Sequence, residues 1–122
     1  MDTQKENPLF VKADLFAKEV YRLTQDFPKD ELYGLTSQLR RAGLSVILNI
    51  VEGFARQSDQ ESNSSKEFRR FLIISFGSLK ESRYLLYFAK EQKYFTEEEY
   101  NQILNLSNEI SKILWSIINP KK

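Results

Sequence analysis

The stretch RRAGLSVILNIVEGFAR, residues 40–56, decides how the rest of the chain must be arranged. On a helical wheel at about 100° per residue, Leu39, Gly43, Val46, Ile50 and Gly53 share one side, with Ile47 and Phe54 beside them. Leu44, Leu48, Val51 and Ala55 fall nearly opposite. A helix that is apolar on two faces needs two coverings, and the chain's own core supplies only one. The expectation is a core helix whose outer side meets another copy of the same chain.

Proline occurs only at positions 8, 28 and 120, so long intervals lack the strongest helix breaker, and the pattern predicts an all-α chain. Before the central stretch, Ala13, Phe16, Val20, Leu23 and Phe27 repeat at steps of three and four, predicting a helix over about 9–27 that Pro28 ends. The connection PKDELYGL, residues 28–35, is polar and turn-like, and Thr36 or Ser37 is placed to cap the second helix, expected over about 36–57. The polar run SDQESNSS, residues 58–65, is expected to be a mobile loop.

Ser64 and Glu67 have capping-box spacing at the start of a third helix, expected over about 65–92. It carries two adjacent seams. One is Phe68, Leu72, Ser75, Leu79, Ser82, Leu86 and Ala89, and the other is Phe71, Ile74, Ser78, Glu81, Leu85 and Phe88. Two seams suit a helix that touches two neighbours. Thr96 and Glu99 form a second capping box, opening a helix over about 97–118 with the stripe Tyr100, Ile103, Ser107, Ile110, Leu114 and Ile117. Four amphipathic helices with short connections predict a single-domain, up-down-up-down four-helix bundle across residues 1–122.

Composition removes much of enzyme chemistry. The chain has no His and no Cys, so the commonest general base, the soft metal ligands and the usual nucleophiles are missing. No catalytic residue, metal site or cofactor is expected. Glu52 and Glu81, amid apolar neighbours, are expected with Asn49 and Ser78 to be buried polar groups that fix helix packing. An all-carboxylate metal site is the competing use of the two glutamates. Gly43, Gly53 and Gly77 lie inside predicted helices, where each costs roughly 1 kcal/mol relative to Ala, and close helix approach is the expected reason. The absence of disulfide chemistry, of a signal-like start and of any long apolar run reads as a soluble, cytoplasmic chain with no membrane partner.

Net charge is +1, but residues 40–93 hold ten basic against six acidic side chains, and the remainder eight against eleven. The middle of the chain is mildly basic. Arg56, Lys66, Arg69 and Arg70, with Lys121 and Lys122, are expected to gather at one end of the bundle, while Lys80 and Arg83 lie farther along the third helix. These are the candidate nucleic-acid contacts. Ile73, Phe76, Tyr84 and Tyr87 share that helix's outer side, where basic and aromatic residues together suit either base stacking or a subunit interface. With Leu44, Leu48, Val51 and Ala55 they form the candidate oligomer interface.

At YGLTSQLRRAGLSVILNIVEGFAR and again at FRRFLIISFGSLKES, the chain resembles the 23S ribosomal RNA intervening-sequence proteins, small bacterial four-helix bundles. The resemblance covers roughly residues 20–118. It rests on an N-I-x-E-G element at Asn49, Ile50, Glu52 and Gly53, and an F-L-x-x-x-x-G-S-x-x-E element at Phe71, Leu72, Gly77, Ser78 and Glu81. This chain has Ile47 where many members carry a proline. The resemblance implies a ring-like homopentamer, encoded in some bacteria within insertions in ribosomal RNA genes. The family is also similar to the accessory proteins of diversity-generating retroelements, pentamers that bind a reverse transcriptase and nucleic acid through strongly basic surfaces; the near-neutral charge here departs from that pattern. Taken together, the expected role is a non-catalytic oligomeric module that associates with RNA or an RNA-handling protein, the alternative being a protein-only scaffold.

Overall fold

Asn7 opens the first helix. Its side-chain oxygen accepts the Leu9 N–H at 2.8 Å, and Pro8 follows at the first helical position, where the missing N–H is one of those left without an intrahelical partner anyway. The computed structural model describes residues 7–57 and 64–120. Within them the chain forms α1 (Pro8–Thr24), α2 (Ser37–Gln57), α3 (Ser64–Glu91) and α4 (Glu97–Ile118). No strand occurs among the described residues.

Each helix touches two others, α1 with α2 and α4, and α3 with α2 and α4. Named contacts set the directions. Val20 lies against Gly43 and Thr24 against Arg40, Ser75 against Val46 and Leu72 against Gly53, Phe76 against Trp115 and Arg69 against Ile118, and Lys12 against Glu109 and Arg22 against Glu99, so every neighbouring pair runs antiparallel in up-down-up-down order. The core is built from the expected stripes: Ala13, Phe16, Val20 and Leu23 of α1, Leu39, Val46 and Ile50 of α2, Leu72, Leu79 and Leu86 of α3, and Ile103, Ile110 and Leu114 of α4 are all buried. The Thr96–Glu99 capping box is formed, with both reciprocal bonds at 3.0 Å.

Three local expectations are corrected. First, α1 stops at Thr24, three residues short of Phe27, whose ring turns inward to lie 5.2 Å from Tyr94 and 6.0 Å from Phe95. Secondly, residues 28–35 are not a loose polar turn, and neither Thr36 nor Ser37 caps α2. A short helical turn over Lys29–Glu31 leads into a wider turn over Leu32–Thr36, kinked at Gly34, that runs directly into α2. The Glu31 side chain is the cap, accepting the Leu35 N–H at 3.1 Å. Its other oxygen accepts the Tyr94 hydroxyl at 2.9 Å, tying this connection to the one between α3 and α4. That hydrogen bond, with burial second, raises the Tyr94 phenol above its ordinary value. Thirdly, the second seam of α3 is covered only in part: Leu85 is buried and Phe71 and Ser78 are half-buried, but Ile74, Glu81 and Phe88 are exposed. The polar run at 58–65 and the expected Ser64 cap lie outside the described residues and side chains.

The polar packing residues divide. Ser78 and Asn49 are half-buried between α2 and α3: the Ser45 and Ser78 hydroxyls share a hydrogen bond of 2.7 Å, and Asn49 donates to the Ser45 carbonyl at 2.8 Å. Glu52 and Glu81 are exposed, correcting the expectation that they are buried. The physical reason is that small hydroxyls, with Ser75 donating to the Val46 carbonyl at 2.7 Å, let α2 and α3 pack closely. The carboxylates one step around each helix then reach water, which avoids the cost of burying a charge.

The glycines divide too. A Cβ on Gly43 would meet Val20 at 3.3 Å and one on Gly53 would meet Leu72, Phe68 and Phe71 at 3.4 Å, so both mark close helix approach. Gly77 does not: the space beside it is open in the single chain.

Candidate interaction surfaces

Leu48 sits at the middle of the outer face of α2 and is 56% exposed, a large value for a leucine in the middle of a helix. Leu44 beside it is 36% exposed, and Ala55, about two helical turns beyond Leu48, is exposed as well. Val51 differs, being half-buried against the chain's own core. Leu44 also forms, with Tyr21 and Ile47, the apolar wall of a groove between α1 and α2.

A second apolar strip runs along the outer side of α3. Ile73, Tyr84 and Tyr87 are exposed, with the two tyrosine rings 6.4 Å apart. Phe76 is half-buried because Trp115 of α4 covers one side of it at 5.8 Å. Ile74 and Phe88, expected from the sequence on the second seam of α3, belong to this exposed strip, as does Trp115, which the stripe of α4 leaves out. Between the α2 strip and the α3 strip runs a polar groove lined by Gln38, Arg41, Ser45, Ser78 and Glu81.

The basic candidates are brought together only in part. Arg56 at the end of α2 and Arg70 near the start of α3 both lie over the Phe71 ring, at 5.5 and 4.9 Å from its centre. Each also has an acidic neighbour at 3.5 Å, Glu52 for Arg56 and Glu67 for Arg70. Arg69 is committed inside the chain, its Nε donating to the carbonyl of Ile118 at 2.9 Å near the end of α4. Lys66 is exposed. Lys80 lies over Phe76 at 5.1 Å and Arg83 is half-buried, ten or more residues along the same helix from Arg70 and hence at least ~15 Å away. Lys121 and Lys122 lie outside the described residues.

Among the described residues no three carboxylates gather as metal ligands would, and no helix is long and apolar enough to cross a membrane. The surfaces therefore offer apolar area, aromatic rings and one arginine pair around a phenyl ring.

Comparison with known proteins gives two findings. The model of a family described as 23S rRNA-intervening sequence protein matches residues 5–116. A crystal structure of a protein of unknown function from the S23 ribosomal protein family of Bacteroides thetaiotaomicron superposes with a TM-score of 0.75 at 28% identity, covering 91% of this chain and 98% of that one. No curated protein matches.

Proposed function

The chain belongs to the 23S rRNA-intervening sequence protein family, and from that premise we propose that it is a non-catalytic subunit of a homopentamer whose arginine-flanked end meets RNA or an RNA-handling protein. The observation that carries the assembly is the pair of apolar strips on α2 and α3, left open by the chain's own packing at Leu44, Leu48, Ile73, Tyr84 and Tyr87. Gly77 adds to it. A glycine in a helix interior costs roughly 1 kcal/mol, and here nothing in the same chain approaches it. Close contact with a neighbouring subunit gives that cost a purpose. Replacing Gly77 by Ala is expected to raise the melting temperature of the dissociated chain while weakening assembly, read by thermal unfolding and by sedimentation across a dilution series. An equally tight or tighter oligomer in the variant would remove Gly77 from the interface.

The nucleic-acid part of the proposal rests on Arg56 and Arg70 around Phe71, cations beside a ring on which a base can stack. Binding of structured RNA, followed by fluorescence anisotropy, is expected to fall steeply with salt, and Arg56→Glu with Arg70→Glu to abolish it at low salt. Arg69 is left intact in this test because it holds the end of α4. Absence of any anisotropy change at low salt would end the RNA reading. The protein-only scaffold would then stand, favoured by the carboxylates of Glu52 and Glu67 beside the two arginines. Its mark is a partner that survives nuclease treatment during purification.

A further inference from the structure

A pocket of about 370 Å³ lies at the corner where α1 turns into α2, about one helical turn before the α2 strip begins at Leu44 and sixteen residues before Arg56. That volume falls within the ~300–1,000 Å³ of small-molecule sites. Its chemistry is uneven. Phe27, Pro28 and Leu32 supply an apolar wall, while Arg40 and Lys29 bring two cations and no carboxylate lines the space.

Arg40 is held rather than free to wander. Its Nε donates to the Thr24 hydroxyl at 2.8 Å, and that hydroxyl in turn donates to the Val20 carbonyl at 2.8 Å. The guanidinium also lies 4.6 Å over the Tyr21 ring. These contacts use Nε and one face of the guanidinium. Among the described residues no carboxylate pairs with Arg40, so the terminal nitrogens keep their donors for a ligand. A second feature is independent of the charge. Thr36 is only 4% exposed and lines the same pocket, yet among the described residues no hydrogen bond engages its hydroxyl. Buried hydroxyls are nearly always bonded, and one without a protein partner calls for an outside one.

We infer that this corner binds a small organic anion, in which one phosphate or carboxylate group meets Arg40, Lys29 and the Thr36 hydroxyl while an apolar or aromatic body lies on Pro28 and Leu32. The arginine fork suits two oxygens of one anionic group, and it is already oriented, so little side-chain freedom is lost on binding. The acidic residues of the same connection do not oppose this directly: the Glu31 carboxylate is engaged by Leu35 and Tyr94, and neither Asp26 nor Asp30 lines the pocket.

The test is a titration of the full chain with phenyl phosphate, benzoate, inorganic phosphate and phenol, followed by amide chemical shifts. Phenyl phosphate or benzoate is expected to give saturable shifts centred on residues 29–40, at lower concentration than inorganic phosphate, and phenol to give none there. Which of the two organic anions binds more tightly distinguishes a phosphate from a carboxylate ligand. Arg40→Gln is expected to weaken binding about tenfold or more, the usual loss of a charge-assisted pair. Thr36→Val and Lys29→Gln are each expected to weaken it severalfold with the helical spectrum unchanged, which keeps the test open if Arg40→Gln impairs folding. Arg56→Glu with Arg70→Glu is expected to leave this binding intact, separating it from any RNA contact. Shifts spread over all basic residues, or equal binding by parent, Thr36→Val and Lys29→Gln, would overturn the assignment.

Discussion

Leu48→Asp is expected to convert the proposed oligomer into a folded monomer. In the single chain Leu48 is 56% exposed, so a carboxylate there stays in water and α2 keeps its buried face of Leu39, Val46 and Ile50. In an assembly the same carboxylate would be buried without a partner, at a cost of several kcal/mol. The balance is delicate enough for one charge to decide it. Burying ~400 Å² of apolar surface per subunit at ~25 cal/mol/Å² gives on the order of 10 kcal/mol, comparable with the ~4–15 kcal/mol lost in association. Light scattering should report the fall in mass and circular dichroism an unchanged helical spectrum. A parent that is monomeric at micromolar concentration, or a variant that keeps the parent's mass, would show that the outer face of α2 serves another purpose.

Phe16→Ala should have the largest effect on the fold itself. Phe16 is fully buried and is the largest such side chain in the core. Truncation removes its transfer free energy and leaves a cavity that neighbouring helices refill only in part, costing ~3–5 kcal/mol. Against the ~5–15 kcal/mol that holds a typical domain together, that is a large share of the total. Urea unfolding at fixed protein concentration should show a markedly lower midpoint with a similar slope. A loss under about 1 kcal/mol would mean that α1 contributes little to the cooperative core. The two substitutions test opposite sides of one architecture: Phe16 holds the helices together, and Leu48 faces away from them.

Without fixing where α1 ends or how α2 begins, the sequence read alone determined that there are four helices, their inward faces and their order. Those follow from a 3.6-residue apolar period, prolines at 8 and 28, and the Thr96–Glu99 box, all local patterns that any helix of this composition must obey. It also marked the second apolar face of α2, because Leu44 and Leu48 lie opposite Val46 and Ile50 on the wheel wherever the helix is placed. Tertiary structure alone decided the rest, since it depends on distances between residues far apart in the chain. Whether Glu52 and Glu81 were buried turned on how closely the serines of α2 and α3 allow those helices to approach. That Gly43 and Gly53 are crowded while Gly77 is open reflects which neighbour passes each one, which a helical period does not encode. Arg69 read as a surface charge until the carbonyl of Ile118, forty-nine residues away, came within 2.9 Å of it. Arg40 became an oriented cation with no carboxylate partner among the described residues only because α1 ends at Thr24 beside it, a meeting of two helices that neither segment's own sequence specifies.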